Sequence, residues 1–124
     1  AGHRGGGWAG RGSEEEGLAV WSLTNGAIPQ RVGSYANFPT TVSGLTTQGN
    51  YVYLTRGSAS TSSLTTVAIA GAGLPTVTST NLITAHYAVN PIQNGQWLFV
   101  FDRITEPYAA DGIEVFDLTD PALP

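Results

Sequence analysis

Two stretches of this 124-residue chain are nearly the same: GLAVWSLTNGAIP, residues 17–29, and GIEVFDLTDPALP, residues 112–124. Six positions are identical, and others exchange Leu for Ile, Trp for Phe and Asn for Asp. A weaker third copy, SLTTVAIAGAGLP, occupies residues 63–75. Because sequence repeats of about 20–50 residues are typical of solenoids, propellers and arrays, this similarity decides the fold class before any single motif does.

The three copies are almost evenly spaced. Their final prolines stand at positions 29, 75 and 124, so the two steps are 46 and 49 residues long. The segments QGNYVYL (48–54) and NGQWLFV (94–100) also lie 46 residues apart. The three extra residues of the second step fall in the polar stretch 102–111, where a repeated structure tolerates insertions. We therefore expect two complete repeat units, residues 30–75 and 76–124, and part of a third.

Each unit has the pattern of β-strands. YVYL and WLFVF are short apolar runs rich in β-branched and aromatic residues, bounded by Gly-Asn and Gly-Gln turns, which is typical of buried strands. Thr and Gly fill TTVSGLTT, where a helix would need better helix formers, so this segment also predicts a strand. The fold class is therefore all-β. The residues expected to be mostly buried are Tyr51, Tyr53, Trp97, Phe99 and Val100.

About four strands in 40–50 residues is the period of a β-propeller blade. The stretches GIEVFDLTDPALP and GLAVWSLTNGAIPQRVGSY resemble LVIVD-type propeller repeats, in which the strand ends in an Asp/Asn turn and a proline. AHYAVNPIQNGQWLFVFDR, followed by GIEVFDL, is similar to blades of lactonase-type seven-bladed propellers. The resemblance covers residues 17–124 and implies four-stranded antiparallel sheets arranged as propeller blades.

Residues 1–16, AGHRGGGWAGRGSEEE, are rich in glycine and lack periodicity. Such a composition predicts a flexible arm that precedes the repeats at residues 17–124. The alternative is that Trp8 is a docking anchor that inserts into a groove of a neighbouring element.

Composition excludes several function classes. Only 11% of residues are charged, the five basic residues are all arginine, and the net charge is −4, which argues against a nucleic-acid or anionic-membrane partner. No apolar run approaches the roughly 20 residues of a spanning helix. The absence of cysteine excludes disulfides and thiol chemistry. We predict no metal and no cofactor, and the composition favours an extracellular or cell-surface location.

The lactonase resemblance implies one candidate site. It would place His86 beside Asp102 or Arg103 at the mouth of a central channel. The residues themselves argue less for chemistry, because His86 has no second His, Cys or carboxylate at the close spacing of a metal site. The serines also lack the Gly-x-Ser-x-Gly pattern of a nucleophile elbow. We therefore name no confident catalytic residue, and an enzymatic role stays uncertain.

Three functions remain open. Two propeller units leave sheet faces bare, which favours a structural assembly module that is part of a larger propeller or a homopolymer. Its partners would be other propeller blades, of the same longer chain or of identical copies, packed through strands around 17–23 and 112–118. The first alternative is a lactonase-like hydrolase acting on a small molecule. The second is a lectin-like module, with sugars stacked on Trp21, Tyr51 and Trp97, although their strand positions favour the core.

Overall fold

The computed structural model describes residues 2–5, 8–13, 17–24, 27–35, 42–57, 62–70, 75–83, 87–103 and 112–124. Regular secondary structure within these ranges consists of β-strands, and no helix occurs among them. The strands are β1 Gly2–Gly5, β2 Trp8–Ser13, β3 Gly17–Ser22, β4 Gln30–Tyr35, β5 Val42–Gln48, β6 Tyr51–Gly57, β7 Ser62–Ile69, β8 Pro75–Ile83, β9 Tyr87–Asn94, β10 Trp97–Arg103 and β11 Gly112–Asp117.

These strands form three antiparallel sheets in which chain neighbours are also sheet neighbours. We call them the N-terminal sheet (β1–β4), the middle sheet (β5–β8) and the C-terminal sheet (β9–β11). The all-β prediction is confirmed, and TTVSGLTT, YVYL and WLFVF fall in β5, β6 and β10 as expected. Within the described part of the chain, no helix is long and apolar enough to cross a membrane.

The glycine-rich start of the chain corrects one expectation. Instead of a flexible arm, residues 2–5 and 8–13 form two strands, and β2 pairs with β3 from Trp8 opposite Ser22 to Ser13 opposite Gly17. Strand pairing uses backbone groups, which glycine supplies as well as any residue, so the missing side-chain pattern hid these strands. The boundary expected after residue 16 therefore lies inside the N-terminal sheet. The backbone of Trp8 belongs to this sheet, and its side chain lies outside the described part.

The hairpins β5–β6 and β9–β10 have the same turn. Each is a two-residue turn that begins with a glycine at positive φ, +56° at Gly49 and +59° at Gly95. This left-handed region favours glycine, which has no Cβ to clash. The two glycines are 46 residues apart, and the side-chain amide of Gln48 donates to the carbonyl oxygen of Gly95 at 3.0 Å. The two turns therefore lie side by side.

A second pair of contacts follows the same pattern. The N–H of Ile69 donates to the carbonyl oxygen of Asn50 at 2.7 Å, and the N–H of Leu118 donates to that of Gln96 at 2.6 Å. In both cases the residue at the end of the third strand bonds to the turn between the first and second strands. The same local arrangement thus occurs in the middle and C-terminal sheets.

The N-terminal and middle sheets share a β-bulge between their third and fourth strands. In the N-terminal sheet the bulge leaves Val32 as the extra residue of β4. In the middle sheet it leaves Thr78 as the extra residue of β8. Val32 and Thr78 are also 46 positions apart. On both sides of the bulge, the pairing of β3 with β4 therefore has the same register as the pairing of β7 with β8.

Two apolar clusters hold the three sheets face to face. Between the N-terminal and middle sheets, the buried residues are Leu18, Val20, Leu45, Val52, Leu54, Val67 and Ile69. Between the middle and C-terminal sheets, they are Tyr53, Leu64, Leu98, Val100 and Leu118. Because neighbouring strand residues point to opposite faces, β6 contributes Val52 and Leu54 to the first cluster and Tyr53 to the second. The middle sheet is therefore buried on both faces, as its apolar runs predicted.

The burial prediction differs in outcome among the five residues and is wrong for one of them. Tyr53 and Val100 are fully buried, whereas Tyr51 and Phe99 are half-buried. Trp97 is 44% exposed, which contradicts the expectation. The reason is alternation along β10: Leu98 and Val100 point toward the middle sheet, so Trp97 and Phe99 point away from it.

Candidate functional site

The C-terminal sheet has one covered face and one apolar face that is open to solvent. Its covered face packs on the middle sheet through Leu98 and Val100. On the opposite face, Ile92, Trp97, Ile113 and Val115 are 44–58% exposed. We call this second face the open face, and its apolar side chains are those of Ile92, Trp97, Phe99, Phe101, Ile113 and Val115.

The residues of the open face form a continuous surface because they are cross-strand neighbours. Phe99 on the central strand β10 lies opposite Ile92 on β9 and opposite Val115 on β11. One step along β10, Phe101 lies opposite Ile113. Directly opposite residues share a sheet face and have Cβ atoms about 4.5–5.5 Å apart. A contiguous exposed apolar patch of this kind is the candidate interaction surface of the chain.

The corresponding face of the middle sheet is covered. In the middle sheet, Tyr53 lies opposite Thr66. In the C-terminal sheet, Phe99, which is 46 residues after Tyr53, lies opposite Val115, which is 49 residues after Thr66. At the same two offsets, the pair Thr55 and Leu64 of the middle sheet is repeated by the pair Phe101 and Ile113 of the C-terminal sheet. We call residues related in this way counterparts. Four residues of the open face, Phe99, Phe101, Ile113 and Val115, are thus counterparts of Tyr53, Thr55, Leu64 and Thr66, all of which are fully buried.

The cover of the middle sheet includes the segment that follows β11, residues 118–124, here called the C-terminal segment. The hydroxyl of Tyr53 donates to the carbonyl oxygen of Pro121 at 2.8 Å. Thr78 Oγ1 donates to Ala122 O at 2.9 Å. Asn81 Nδ2 donates to Pro124 O, also at 2.9 Å. Three side chains of the middle sheet thus hold the backbone of this segment.

Burial affects the ionisation of the tyrosine in this contact. Removal from water raises the pKa of Tyr53 to about 12, and the neighbouring Tyr51 and Asp120 act in the same direction. All three effects disfavour a negative charge on the phenol. The phenol therefore remains a hydrogen-bond donor to Pro121 throughout the neutral range.

A side-chain cap lies where the C-terminal segment leaves β11. The carboxylate of Asp117 accepts hydrogen bonds from the hydroxyl of Thr119 at 2.6 Å and from its backbone N–H at 2.9 Å. These two bonds lower the pKa of Asp117. The counterpart residues Ser22 and Thr24, at the end of β3, have their hydroxyl oxygens 3.0 Å apart. Two chain segments 95 residues apart therefore begin with similar capped turns.

The residues predicted as channel-lining are only partly within the described structure. Asp102 and Arg103 end β10, where Asp102 lies opposite Ala88 and Arg103 lies opposite Tyr87. His86 lies outside the described residues, as do the side chains of Asp102 and Arg103. The proposed grouping of these three residues therefore stays a prediction. Among the described residues, no group of three or more His, Asp or Glu could hold a metal ion.

The three aromatic residues suggested for sugar stacking belong to three different sheets. Trp21 lies in the N-terminal sheet, Tyr51 in the middle sheet and Trp97 in the C-terminal sheet. Trp21 and Tyr51 are half-buried, and Trp97 belongs to the open face. The described residues thus do not gather these rings on one sheet face.

Sequence reasoning missed a buried arginine. Arg56, near the end of β6, is buried and its Nε donates to Thr65 Oγ1 at 3.1 Å. Burial lowers the pKa of Arg56, while the nearby phenol of Tyr35 acts in the opposite direction. A single arginine in a β-run gives no sequence signal of burial, because its position relative to the neighbouring sheet decides it.

Comparison with protein-family models, curated protein sequences and solved structures finds no significant match for this chain.

Proposed function

We propose that this chain is a structural assembly module built from β-propeller blades, and that its open face packs against a further blade. The observation that carries this proposal is the open face itself, in which Ile113 and Val115 are 58% and 56% exposed although their counterparts in the middle sheet are fully buried. The proposed location is extracellular or at the cell surface.

Recurring details support the assignment of the three sheets as blades. The glycine turns at Gly49 and Gly95 and the bulges at Val32 and Thr78 recur at the same separation of 46 residues. Each sheet also follows chain order, as the strands of a propeller blade do. The predicted sequence unit 30–75 then contains the fourth strand of one blade and the first three strands of the next.

The free energy gained by burying the open face indicates how extensive the contact with a partner must be. Full burial of one large aliphatic or aromatic side chain contributes about 1.5–3 kcal/mol, so four half-exposed side chains contribute about 3–6 kcal/mol. Association costs about 4–15 kcal/mol in lost translational and rotational freedom. The exposed part of the open face therefore reaches only the lower end of this cost. A stable complex requires a partner that adds contacts of its own, as a whole blade would.

Light scattering over a range of protein concentrations tests the proposal. We expect the mass of the wild-type particle to rise above the 12.9 kDa of one chain. The variant Ile113→Glu should weaken association by about tenfold or more, because a carboxylate would be buried in an apolar contact. The matched control is Leu123→Glu, which alters a similarly exposed residue of the C-terminal segment, 60% against 58%.

A particle of one chain at every concentration would contradict this function, as would association that Ile113→Glu leaves unchanged. No contact among the described residues favours the lactonase-like or the lectin-like alternative over the assembly module.

A further inference from the structure

We infer that the partner of the open face is the N-terminal sheet of a second copy of this chain, so that copies associate head to tail. This inference rests on the proposed function and names the partner that the proposal leaves general. It follows from three observations: the way the middle sheet is covered, the exposure of the N-terminal sheet, and the turn that follows β3.

The first observation is the composition of the cover on the middle sheet. Phe116 and Leu118 pack into the cluster between the middle and C-terminal sheets. Their counterparts, 95 residues earlier, are Trp21 and Leu23 in GLAVWSLTNGAIP. The face that covers the middle sheet thus has a partly apolar equivalent on the N-terminal sheet, in which Ala9 and Arg11 lie opposite Trp21 and Ala19 as Leu98 and Val100 lie opposite Phe116 and Glu114. Since the open face repeats the surface of the middle sheet, this equivalent is the matching surface for it.

The second observation is that one residue of this equivalent face is less buried than its counterpart. Leu18 and Val20 pack on the middle sheet, so Trp21, the next residue along β3, points the other way. Leu23 is half-buried, whereas its counterpart Leu118 is only 4% exposed; Trp21 and its counterpart Phe116 are both half-buried. The N-terminal sheet therefore presents a less buried apolar residue, Leu23, at the position where the C-terminal sheet makes its contact through Leu118.

The third observation is a turn that already has the required direction. The hydroxyls of Ser22 and Thr24 contact each other at the end of β3, as Asp117 and Thr119 do at the end of β11. The segment after Asp117 continues onto the middle sheet and is held there by three hydrogen bonds. By the same starting direction, Leu23 and Thr24 would lead the chain toward the open face of a second copy, where Phe99, the counterpart of Tyr53, has no hydroxyl to donate.

Contact between two different surfaces has a consequence for assembly. A copy that binds through its N-terminal sheet still presents its own open face to another copy. Such head-to-tail contacts produce a closed ring if the rotation between copies closes, and a filament if it does not. Contact between two open faces would instead produce a symmetric dimer and stop.

Cross-linking can distinguish these arrangements because the chain contains no cysteine. Thr78 Oγ1 lies 3.3 Å from the carbonyl oxygen of Thr66 and 2.9 Å from that of Ala122, so these two residues adjoin the same hydroxyl. Their counterparts are Val115 on the open face and Ala27 after β3, and both are exposed. We therefore choose the single variants Ala27→Cys and Val115→Cys, one of them labelled with ¹⁵N, and a short thiol-specific bis-maleimide.

The expected product is a covalent dimer of one labelled and one unlabelled chain, identified by mass. In the equimolar mixture its yield should exceed that of either variant alone by at least about tenfold, equivalent to about 1.4 kcal/mol of preference. Adding Ile113→Glu to the Val115→Cys chain should abolish the product, while adding Leu123→Glu should leave it unchanged. A chain with both cysteines should produce a ladder of larger covalent species.

Three results would overturn the inference. If Val115→Cys cross-links with itself as efficiently as with Ala27→Cys, the open faces meet each other, and the head-to-tail arrangement is wrong while the assembly function stands. If light scattering detects association but the mixture gives no cross-link, another surface of the chain is the partner. If neither association nor cross-linking occurs, the assembly function fails together with the inference.

Discussion

The hydroxyl of Tyr53 donates a hydrogen bond of 2.8 Å to the carbonyl oxygen of Pro121, a residue 68 positions later in the chain. Tyr53 is a fully buried residue of the middle sheet, and Pro121 belongs to the C-terminal segment. A buried phenol needs a hydrogen-bond partner, and here the partner is the backbone of the element that covers it. The ring of Tyr53 thus packs in the cluster between the middle and C-terminal sheets, while its hydroxyl bonds to the C-terminal segment.

Removing this hydroxyl should destabilise the chain modestly. Tyr53→Phe keeps the ring and loses the bond to Pro121, so we expect the free energy of unfolding to fall by about 0.5–1.5 kcal/mol. Tyr53→Ala also removes the ring from the cluster, and its cost should be about 3–5 kcal/mol. Urea unfolding near pH 8 measures both values. Equal losses for the two variants would contradict the separate role of the hydrogen bond.

The raised pKa of Tyr53 predicts a specific loss of stability in alkaline solution. An unfolded tyrosine ionises near pH 10, as model peptides do, whereas burial raises the pKa of folded Tyr53 to about 12. The folded state therefore retains a proton that the unfolded state loses, and stability falls as pH rises from 10 through 12. The contribution is fully present below pH 10. The free energy of unfolding should decline more steeply across this range for wild type than for Tyr53→Phe. Parallel curves for the two proteins would contradict this prediction.

Adjacent residues on β10 should respond very differently to truncation. Leu98→Ala removes a fully buried side chain from the cluster between two sheets, and we expect a loss of about 2–5 kcal/mol. Trp97→Ala removes the larger side chain, but Trp97 points to the open face and is 44% exposed. Its cost should be about 1 kcal/mol or less in dilute solution, because half of the transfer term is already absent. Similar losses for both would mean that the open face is covered within one chain.

The strands that the sequence predicted are those whose side chains carry a pattern. YVYL and WLFVF became β6 and β10 because apolar density and flanking turn residues act locally. β1 and β2 were missed since glycine supplies backbone pairing without any side-chain periodicity. Their formation depends on the neighbouring edge of β3, which a scan along the chain does not detect.

The candidate site was predictable only in outline. The bare faces of two propeller units led to the expectation of contacts through strands around 17–23 and 112–118, and the open face includes Ile113 and Val115 of the second range. Alternation along β10 defines two sets of side chains, but it does not say which set another sheet covers. That depends on how the sheets stack, and for this reason Trp97 was wrongly expected to be buried.

The two glycine turns should be sensitive to substitution through backbone conformation alone. Gly49 has φ of +56°, and a Cβ added there would meet no atom within 4 Å. Gly49→Ala should therefore cost about 1–2 kcal/mol, the usual penalty for a left-handed residue with a Cβ. Gly49→Asn should cost less, because Asn tolerates this region better. Thermal or urea unfolding measures both, and the same order is expected at Gly95. A larger loss for Asn than for Ala would contradict a purely conformational origin.

The cap at the end of β11 predicts how the carboxylate of Asp117 titrates. The Thr119 hydroxyl is the main cause of its lowered pKa and the Thr119 backbone N–H adds to the effect, because both bonds favour the charged form. Thr119→Val removes the hydroxyl and keeps the N–H, so the pKa of Asp117 should rise part of the way to its ordinary value. Thr119→Ser keeps a hydroxyl and should leave it low. Carboxyl chemical shifts followed by NMR against pH measure all three proteins.

The lowered pKa of Asp117 also determines how the stability of the chain changes with pH. A pKa lowered by folding means that the unfolded state binds a proton more readily, so the cap stabilises the chain near neutral pH. This contribution is lost as pH falls through the pKa of folded Asp117. Because Asp117 is exposed, the effect on global stability is small, and the sharper consequence is local.

Below the pKa of folded Asp117, or in Thr119→Val, the amide of Leu118 should exchange with solvent faster, since its bond to Gln96 lies beside the cap. Unchanged exchange in the variant would show that the packing of Leu118, and not the cap, directs the C-terminal segment onto the middle sheet.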